Sequence, residues 1–221
     1  INSVFKDKNG RVWVGMSIGI HFIKGDLSNF TDVLKQKNNS FVITEMKNHD
    51  IIIADRKKMF IVDQRNLRVK RQKTFKTDLF HLSDIFVTGN NEIFLLTGST
   101  GIIYYMKDFR SEPVKIENTQ TLLVSQLIEF NNKIIGANNT GLVYFDSNTF
   151  KSLRDINYHT WALHLDSVPT ESKSHEKFLW VGTQNGLAIY KNDSLKFANP
   201  EIFNGISVTA IEHAENSDML W

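Results

Sequence analysis

The chain repeats one short pattern about every 42 residues, and this periodicity limits the folds that are open to it. Residues 9–15 read NGRVWVG, residues 178–183 read FLWVGT, and the last residue is Trp221. Trp180 and Trp221 lie 41 positions apart, and Trp13 and Trp180 lie 167 apart, which is four steps averaging just under 42. A period of this length is typical of stacked supersecondary units, and about four β-strands fit in each unit.

Each unit has the same order of features. An apolar strand is followed by a polar turn, a second strand that ends in a small residue, a tight turn, an aromatic-rich third strand and a more polar fourth strand. Glycine suits such turns because they often need a positive φ. The residues at the tight-turn position are separated by 39, 43, 40 and 45 positions, and they are Gly19, Lys58, Gly101, Gly141 and Gly186. Lys58 therefore predicts a turn that is strained or of a different type.

This plan predicts an all-β fold, a β-propeller of four-stranded antiparallel blades, because sheets that cannot bury both faces alone must stack on neighbours. The repeated tryptophan is expected to pack between adjacent blades. One propeller segment then spans the chain, with blades at about 1–38, 39–79, 80–120, 121–160 and 161–205 and a partial sixth at 206–221. This is most of a ring of six to eight blades, and the alternative is a closed ring of five or six.

Two stretches bear on the limits of this pattern. Residues 208–211 are expected to form the first strand of the sixth unit, and residues 26–37 are compatible with a short helix. Because the pattern is already under way at both ends of the chain, we expect a piece of a longer protein.

Composition and charge narrow the classes of function. The net charge of +2 is too balanced to imply nucleic acid, and the chain contains no cysteine for disulfides or thiolate metal sites. The spacing of His159 and His164 matches no standard metal pattern. No apolar run approaches the roughly 18 residues that span a bilayer. We expect no metal, no cofactor, no membrane contact and no catalysis within this segment.

The repeat resembles a known family, the two-component regulator propeller repeat, whose consensus is similar to Asp-x-x-Gly-x-Leu-Trp-Ile-Gly-Thr-x-x-Gly-Leu. Two units carry the resemblance, and the second, third and fourth keep only its hydrophobic frame. The matching residues are Asp7, Gly10, Trp13, Gly15, Gly19 and Ile20 in the first unit and Trp180, Val181, Gly182, Thr183, Gly186 and Leu187 in the fifth.

The resemblance implies a function. Such repeats form periplasmic sensor domains of hybrid two-component system proteins in Bacteroidetes, ahead of a membrane helix and a histidine kinase. It implies a periplasmic segment of an inner-membrane protein that detects an oligosaccharide and relays it to transcription of polysaccharide-use genes. The implied partners are the remaining blades, the downstream domains and a second copy in a homodimer. The alternatives are a scaffold for protein–protein interaction and a polysaccharide lyase or hydrolase.

Two groups of residues are candidates for ligand binding. A basic cluster could hold an anionic polysaccharide, because arginine matches carboxylate and sulfate oxygens, or it could only guard an edge strand by its charge. Its candidate residues are Arg56, Lys57, Arg68, Lys70 and Arg71.

An aromatic group could stack on sugar rings. It consists of Tyr158, His159 and Trp161, and the alternative is that Trp161 belongs to the core. The polar insertion at residues 167–177 is either a recognition loop or a disordered one.

Overall fold

The computed structural model describes residues 3–16, 19–23, 30–35, 41–98, 100–156, 158–169 and 175–211. The chain divides into two compact units, Ile1–Ile116 and Glu117–Trp221. Within these residues the first unit contains three β-sheets and the second contains two, and each of these sheets has four antiparallel strands in sequence order. The predicted all-β fold of four-stranded antiparallel sheets is therefore confirmed.

The first unit contains strands β1 to β12. The first sheet is formed by β1 (Ser3–Lys6), β2 (Val12–Met16), β3 (Gly19–Ile23) and β4 (Phe30–Lys35). The second sheet is formed by β5 (Val42–Glu45), β6 (Ile51–Ala54), β7 (Lys58–Val62) and β8 (Val69–Thr74). The third sheet is formed by β9 (Leu82–Val87), β10 (Ile93–Thr97), β11 (Ile103–Met106) and β12 (Val114–Lys115).

The second unit contains strands β13 to β20 and two helices of one turn. The fourth sheet is formed by β13 (Gln126–Phe130), β14 (Lys133–Ala137), β15 (Gly141–Asp146) and β16 (Thr149–Asp155). The fifth sheet is formed by β17 (Thr160–Pro169), β18 (His175–Thr183), β19 (Gly186–Lys191) and β20 (Ser194–Phe197). The helices are α1 (Thr119–Leu122) and α2 (Pro200–Phe203).

Apolar residues on both faces of the sheets hold each unit together. All four residues of β6 are buried, and they alternate between two hydrophobic clusters. Ile51 and Ile53 pack with Trp13 of the first sheet, whereas Ile52 and Ala54 join a cluster with residues of the third sheet. Since successive side chains of a strand point to opposite faces, the second sheet is packed between the first and the third.

The same kind of core joins the two sheets of the second unit. One buried cluster combines apolar side chains from both sheets, including Phe130 and Ile135 of the fourth sheet and Leu179 and Tyr190 of the fifth. The stacking that the repeat period predicts is thus present within each unit.

Buried polar residues cap the turn between the second and third strands in four of the sheets. The Asp55 carboxylate accepts hydrogen bonds from the backbone N–H groups of Lys57 and Lys58, at 2.7 and 2.6 Å. Neither Asp55 nor Lys58 has a positive φ, so this turn needs no glycine. The corresponding side chains of the other sheets also bond to their own turns, and they are Thr97, Asn138 and Thr183. The glycines at the tight turns have φ of 142°, 63°, 152° and 123° at Gly19, Gly101, Gly141 and Gly186.

Two expectations from the sequence are wrong in the described residues. Phe30–Lys35 is strand β4, not helix, because it pairs in register with β3 from Gly19 to Ile23. The strand expected at 208–211 is not formed. Val208 instead donates its backbone N–H to the carbonyl of Thr183 at 2.9 Å. A Cβ on Gly182 would lie 2.5 Å from the Val208 carbonyl oxygen, so this close approach requires glycine. Trp221 lies outside the described residues.

The polar insertion of the fifth sheet is largely strand. β17 and β18 pair from Thr160↔Thr183 out to Pro169↔His175, so most of residues 167–177 prolong the hairpin. The interpretation as a loop is corrected for 167–169 and 175–177, and residues 170–174 lie outside the described part.

Candidate functional site

Polar side chains meet at a recurrent place in the fold, which we call a seam. A seam lies between the turn joining the first and second strands of one sheet and the turn joining the third and fourth strands of the next. The first seam joins the first and second sheets, the second seam joins the second and third, and the second-unit seam joins the fourth and fifth. The turns of the first unit share a geometry, with positive φ at Gly10, His49 and Asn91.

At the first seam the Asp7 carboxylate is saturated with donors. One oxygen accepts from the backbone N–H groups of Asn9 and Arg11, at 2.9 and 3.0 Å. The other accepts from Arg11 Nε at 2.8 Å and from the indole Nε1 of buried Trp13 at 2.9 Å. Burial alone would raise the pKa of Asp7, but these hydrogen bonds outweigh it and hold the pKa below its usual 3.8. Asp7 therefore fixes the turn and the tryptophan together.

Side chains from both sheets fill the first seam. Arg11 Nη1 donates to the Gln64 carbonyl at 2.6 Å, and Asn9 Nδ2 donates to Gln64 Oε1 at 2.9 Å. Arg11 Nη2 and Gln64 Nε2 are buried donors without an acceptor among the described residues. The first seam is thus closed by its own polar groups.

The tryptophan of the fifth sheet occupies the position equivalent to Trp13. Trp180 Nε1 donates to Asp166 Oδ2 at 3.1 Å. Asp166 pairs with Phe178, two positions before Trp180, just as Asp7 pairs with Arg11, two positions before Trp13. Asp166 is not predicted by the repeat pattern, because the longer hairpin places it 14 positions before its tryptophan, whereas Asp7 lies six positions before Trp13. An Asp near the start of the insertion was the available signal.

The second seam is an open cleft of about 420 Å³. Its apolar lining comes from Met46, Ile61 and Phe109, and its polar lining comes from Asn48, Asp50, Lys70, Arg71, Asn91 and Asp108. Two of the predicted ligand-binding residues, Lys70 and Arg71, lie here because β8 runs along the cleft.

Most charges in this cleft are already engaged. Lys70 Nζ contacts Asp50 at 2.7 Å and Asp63 at 3.1 Å, and the hydrogen bond with Asp50 is the main reason that the pKa of Lys70 is raised above 10.5. Asp108 accepts hydrogen bonds from the Ser111 side chain and backbone, which lower the pKa of Asp108. Both groups are therefore charged and held in place near neutral pH.

Arg71 and Asn91 differ from these engaged residues. Both are exposed, and neither the guanidinium nor the carboxamide bonds to any residue that the structure describes. The groups of the second seam that can meet a ligand are thus mainly hydrogen-bond donors.

The other basic candidates lie elsewhere and have partners of their own. Arg56 donates to Asp78 through Nε at 2.9 Å, Lys57 contacts the same carboxylate at 3.4 Å, and the Arg56 guanidinium lies 4.4 Å from the Phe80 ring centroid. These residues precede β7, at the end of that strand opposite to Lys70. The side chain of Arg68 is exposed and outside the cleft.

The aromatic candidates form two pairs in the second unit, and they are not in the same unit as the basic residues. Tyr158 meets Phe197 edge-on at 6.2 Å, and His159 meets Trp161 at 6.0 Å. Trp161 is half-buried and belongs to none of the hydrophobic clusters of described residues.

Within the described residues, no three or more His, Cys, Asp or Glu side chains are grouped so that they could hold a metal ion. Among the residues that the structure describes, none form a helix with the length and hydropathy of a membrane span.

Comparison with solved structures supports the fold. The extracellular domain of a protein described as a hybrid two-component system of B. thetaiotaomicron matches with a TM-score of 0.66 and 18% identity, over 97% of this chain and 32% of that one. Virginiamycin B lyase from Staphylococcus aureus matches with a TM-score of 0.64 and 12% identity, over 94% of this chain and 72% of that one. The extracellular domain of a protein described as a one-component system of B. thetaiotaomicron matches with a TM-score of 0.55 and 15% identity, over 97% of this chain and 36% of that one.

Identities this low show the fold alone. This chain spans about a third of the two Bacteroides domains. No family model matches the sequence, and no curated protein matches it. The chain is an all-β protein whose four-stranded antiparallel sheets match those of propeller structures.

Proposed function

We propose that this chain is a periplasmic, ligand-sensing propeller segment of a hybrid two-component sensor histidine kinase, and that its second seam binds an acidic oligosaccharide. The repeat motif and the fold shared with extracellular domains of such systems support the sensor class. One observation carries the ligand class: Arg71 presents an unengaged guanidinium in a polar cleft whose carboxylates Asp50 and Asp108 already have donors.

The cleft can contact a sugar in three ways. The Arg71 guanidinium can donate two parallel hydrogen bonds to a carboxylate or sulfate. The Asn91 carboxamide can both donate to and accept from hydroxyl groups. Phe109 offers an apolar surface to the C–H face of a sugar ring. A uronic acid or sulfated sugar satisfies all three.

A ligand in this cleft would contact the second and third sheets together. Its binding free energy would then favour whichever arrangement of the two sheets suits it best, and this is a shift between pre-existing states. We propose that the segment binds without chemical turnover. Mass spectrometry of the recovered ligand should show no cleavage product, and a product would instead support the lyase or hydrolase alternative.

The site is tested by calorimetry with trigalacturonate, a heparin hexasaccharide and neutral maltohexaose. Arg71→Ala should weaken binding of the acidic probe at least tenfold, which is about 1.4 kcal/mol. Arg68→Ala is the matched control, because it removes the same charge from an exposed residue outside the cleft, and it should leave the affinity unchanged. Equal effects of the two variants, or no acidic probe that binds, would contradict the proposed site.

A further inference from the structure

Three asparagines of this chain are each followed directly by glycine, and they are Asn9, Asn185 and Asn204. An asparagine in this position can react with its own backbone, because glycine has no Cβ to hinder the approach of its nitrogen to the asparagine carboxamide. The reaction needs a free carboxamide and a peptide group that can rotate. The fold holds the three pairs in different ways.

The Asn9–Gly10 pair is fixed at the first seam. The Asn9 carboxamide donates to Gln64 Oε1 at 2.9 Å. The Gly10 backbone N–H donates to the Asp7 carbonyl at 2.9 Å, and the Asn9 backbone N–H donates to the Asp7 carboxylate at 2.9 Å. Both groups that would have to react are therefore engaged.

The Asn185–Gly186 pair is fixed in the turn that joins β18 and β19. Gly186 is buried, and a Cβ at this position would lie 2.8 Å from the Phe203 carbonyl oxygen. The Asn185 backbone N–H donates to Thr183 Oγ1 at 3.0 Å, and its side-chain Oδ1 accepts from the Gly205 N–H at 3.1 Å. Rotation of this peptide group would therefore disrupt the end of the hairpin.

The Asn204–Gly205 pair is open to solvent. Both residues are exposed, and the Asn204 carboxamide bonds to no residue that the structure describes. A Cβ at Gly205 would meet no described atom within 4 Å beyond its chain neighbours. The Gly205 N–H is held by an exposed hydrogen bond to the Asn185 side chain. This pair therefore combines a free carboxamide, open space and a weakly held peptide group.

We propose that Asn204 is a site of spontaneous covalent modification, at which it is converted into aspartate and isoaspartate. The Gly205 nitrogen attacks Asn204 Cγ, and the new N–Cγ bond closes a succinimide ring. The Cγ–Nδ2 bond breaks, and the Nδ2 group takes up the proton lost by the Gly205 nitrogen and leaves as ammonia. Water then opens the ring. Opening at the side-chain carbonyl gives aspartate, and opening at the main-chain carbonyl gives isoaspartate, whose main chain is one carbon longer.

The modification falls in the segment that leaves the fifth sheet. Downstream of Asn204, Ser207 Oγ donates to the Gln184 carbonyl at 3.2 Å. The Val208 N–H donates to the Thr183 carbonyl at 2.9 Å. A longer main chain just before these contacts changes the reach of the segment, so isoaspartate at 204 should weaken them.

The test incubates the folded chain at mildly alkaline pH and follows each asparagine by peptide mapping and mass spectrometry. Asn204 should convert roughly tenfold faster, or more, than Asn9 and Asn185, because those two pairs must first open locally. In concentrated urea the three rates should converge, since each asparagine is followed by glycine. Equal rates in the folded chain, or conversion of Asn204 in urea alone, would overturn the proposal.

Two variants examine the reacting groups. Asn204→Gln should abolish the conversion, because its longer side chain would have to close a larger ring. Asn185→Ala removes the acceptor of the Gly205 N–H and should speed the conversion of Asn204. Gln184→Ala is the matched control, because Gln184 is an exposed residue of the same turn whose side chain bonds to none of the described residues. Equal rates in the Asn185→Ala and Gln184→Ala variants would contradict the restraint by Asn185.

Hydrogen exchange at the Val208 amide tests the structural consequence. It should be faster in the isoaspartate form than in the Asn204→Asp variant, which carries the same new charge on a main chain of ordinary length. Exchange that is equal in the two forms would show that the longer main chain does not disturb the contact with Thr183, and it would overturn this part of the proposal.

Discussion

The first and second seams occupy equivalent places in one compact unit, yet the first is filled and the second is open. Where the first sheet has Arg11, the second sheet has Asp50. The long guanidinium of Arg11 reaches the Gln64 carbonyl of the next sheet. The short carboxylate of Asp50 does not cross its seam and is bound by Lys70 of its own sheet. The apolar clusters of both seams are equally well buried.

The two layers of a seam therefore have separate roles. The buried layer joins the sheets and is built from strand residues. In the outer layer, the long Arg11 side chain reaches across the first seam, whereas the short Asp50 side chain stays on its own side of the open second seam. Four substitutions test this division, and their expected effects on stability decrease in the order given.

Trp13→Ala should have the largest effect. Trp13 is fully buried between two sheets, so the free energy of unfolding should fall by about 3–5 kcal/mol. Urea denaturation measures this loss, and Trp180→Ala, at a half-buried tryptophan, is the control. A loss at Trp13 no larger than the loss at Trp180 would contradict the role of the first tryptophan in joining the sheets.

Asp7→Asn should have the second largest effect on the free energy of unfolding. The amide would direct N–H donors at the Arg11 and Trp13 donors that now reach the carboxylate, and the expected cost is about 3 kcal/mol. Thermal unfolding measures the loss. Asp63→Asn, which removes a carboxylate that contacts Lys70, is a suitable comparison, and it should cost less because the Asp63 carboxylate is more exposed than that of Asp7.

The same residue gives a pH dependence with a definite sign. Since the folded-state pKa of Asp7 lies below the unfolded value near 3.8, its contribution to stability is fully present above that pH. The contribution is lost as the pH falls below 3.8 and through the folded-state pKa. Asp7→Asn should flatten this part of the stability profile, and an unchanged acid limb would argue against the assigned bonds.

Lys70→Met should cost less than Asp7→Asn. It removes the ammonium between Asp50 and Asp63, but the lysine is exposed to solvent, so water and salt screen the pair. The difference from the unmodified chain should shrink as salt is added. A cost that matches Asp7→Asn and resists salt would mean that the second seam is held together by its polar layer, as the first is.

Arg71→Ala should have the smallest effect on stability, within about 0.5 kcal/mol, because its side chain is exposed and bonds to none of the described residues. Circular dichroism during urea unfolding checks this. A larger loss would show that the arginine supports the fold, and its loss of ligand binding could then not be assigned to direct contact.

The sequence was sufficient for the repeated framework. The period and the tryptophans predict stacked four-stranded sheets, and the polar turn before Trp13 is visible within seven residues. Which residues of the basic cluster form ion pairs could not be predicted from the sequence. Lys70 meets Asp50 and Arg56 meets Asp78, which are 20 and 22 positions away. Strand register and turn geometry determine such pairs, and neither can be read from composition.

Asp166 of the fifth sheet is a second feature that the sequence did not predict. The spacing Asp–Trp of the first sheet could be recognised because its hairpin is short. In the fifth sheet the polar stretch resembles a loop, although residues 167–169 pair in register with residues 175–177 and Asp166 lies at the equivalent site. Polarity alone does not distinguish a polar two-stranded extension from a loop, because neither shows the alternation of apolar and polar residues that marks a half-buried strand.

The polar caps at the ends of the second strands have a consequence for how such a chain tolerates change. Asp55, Thr97, Asn138 and Thr183 perform one task with three kinds of side chain. At Lys58, where the cap needs no left-handed backbone, the glycine is dispensable. Repeat units of this kind can therefore differ widely in sequence while each turn keeps a side-chain hydrogen bond. The repeat is more regular in its turn geometry than in its residue identities.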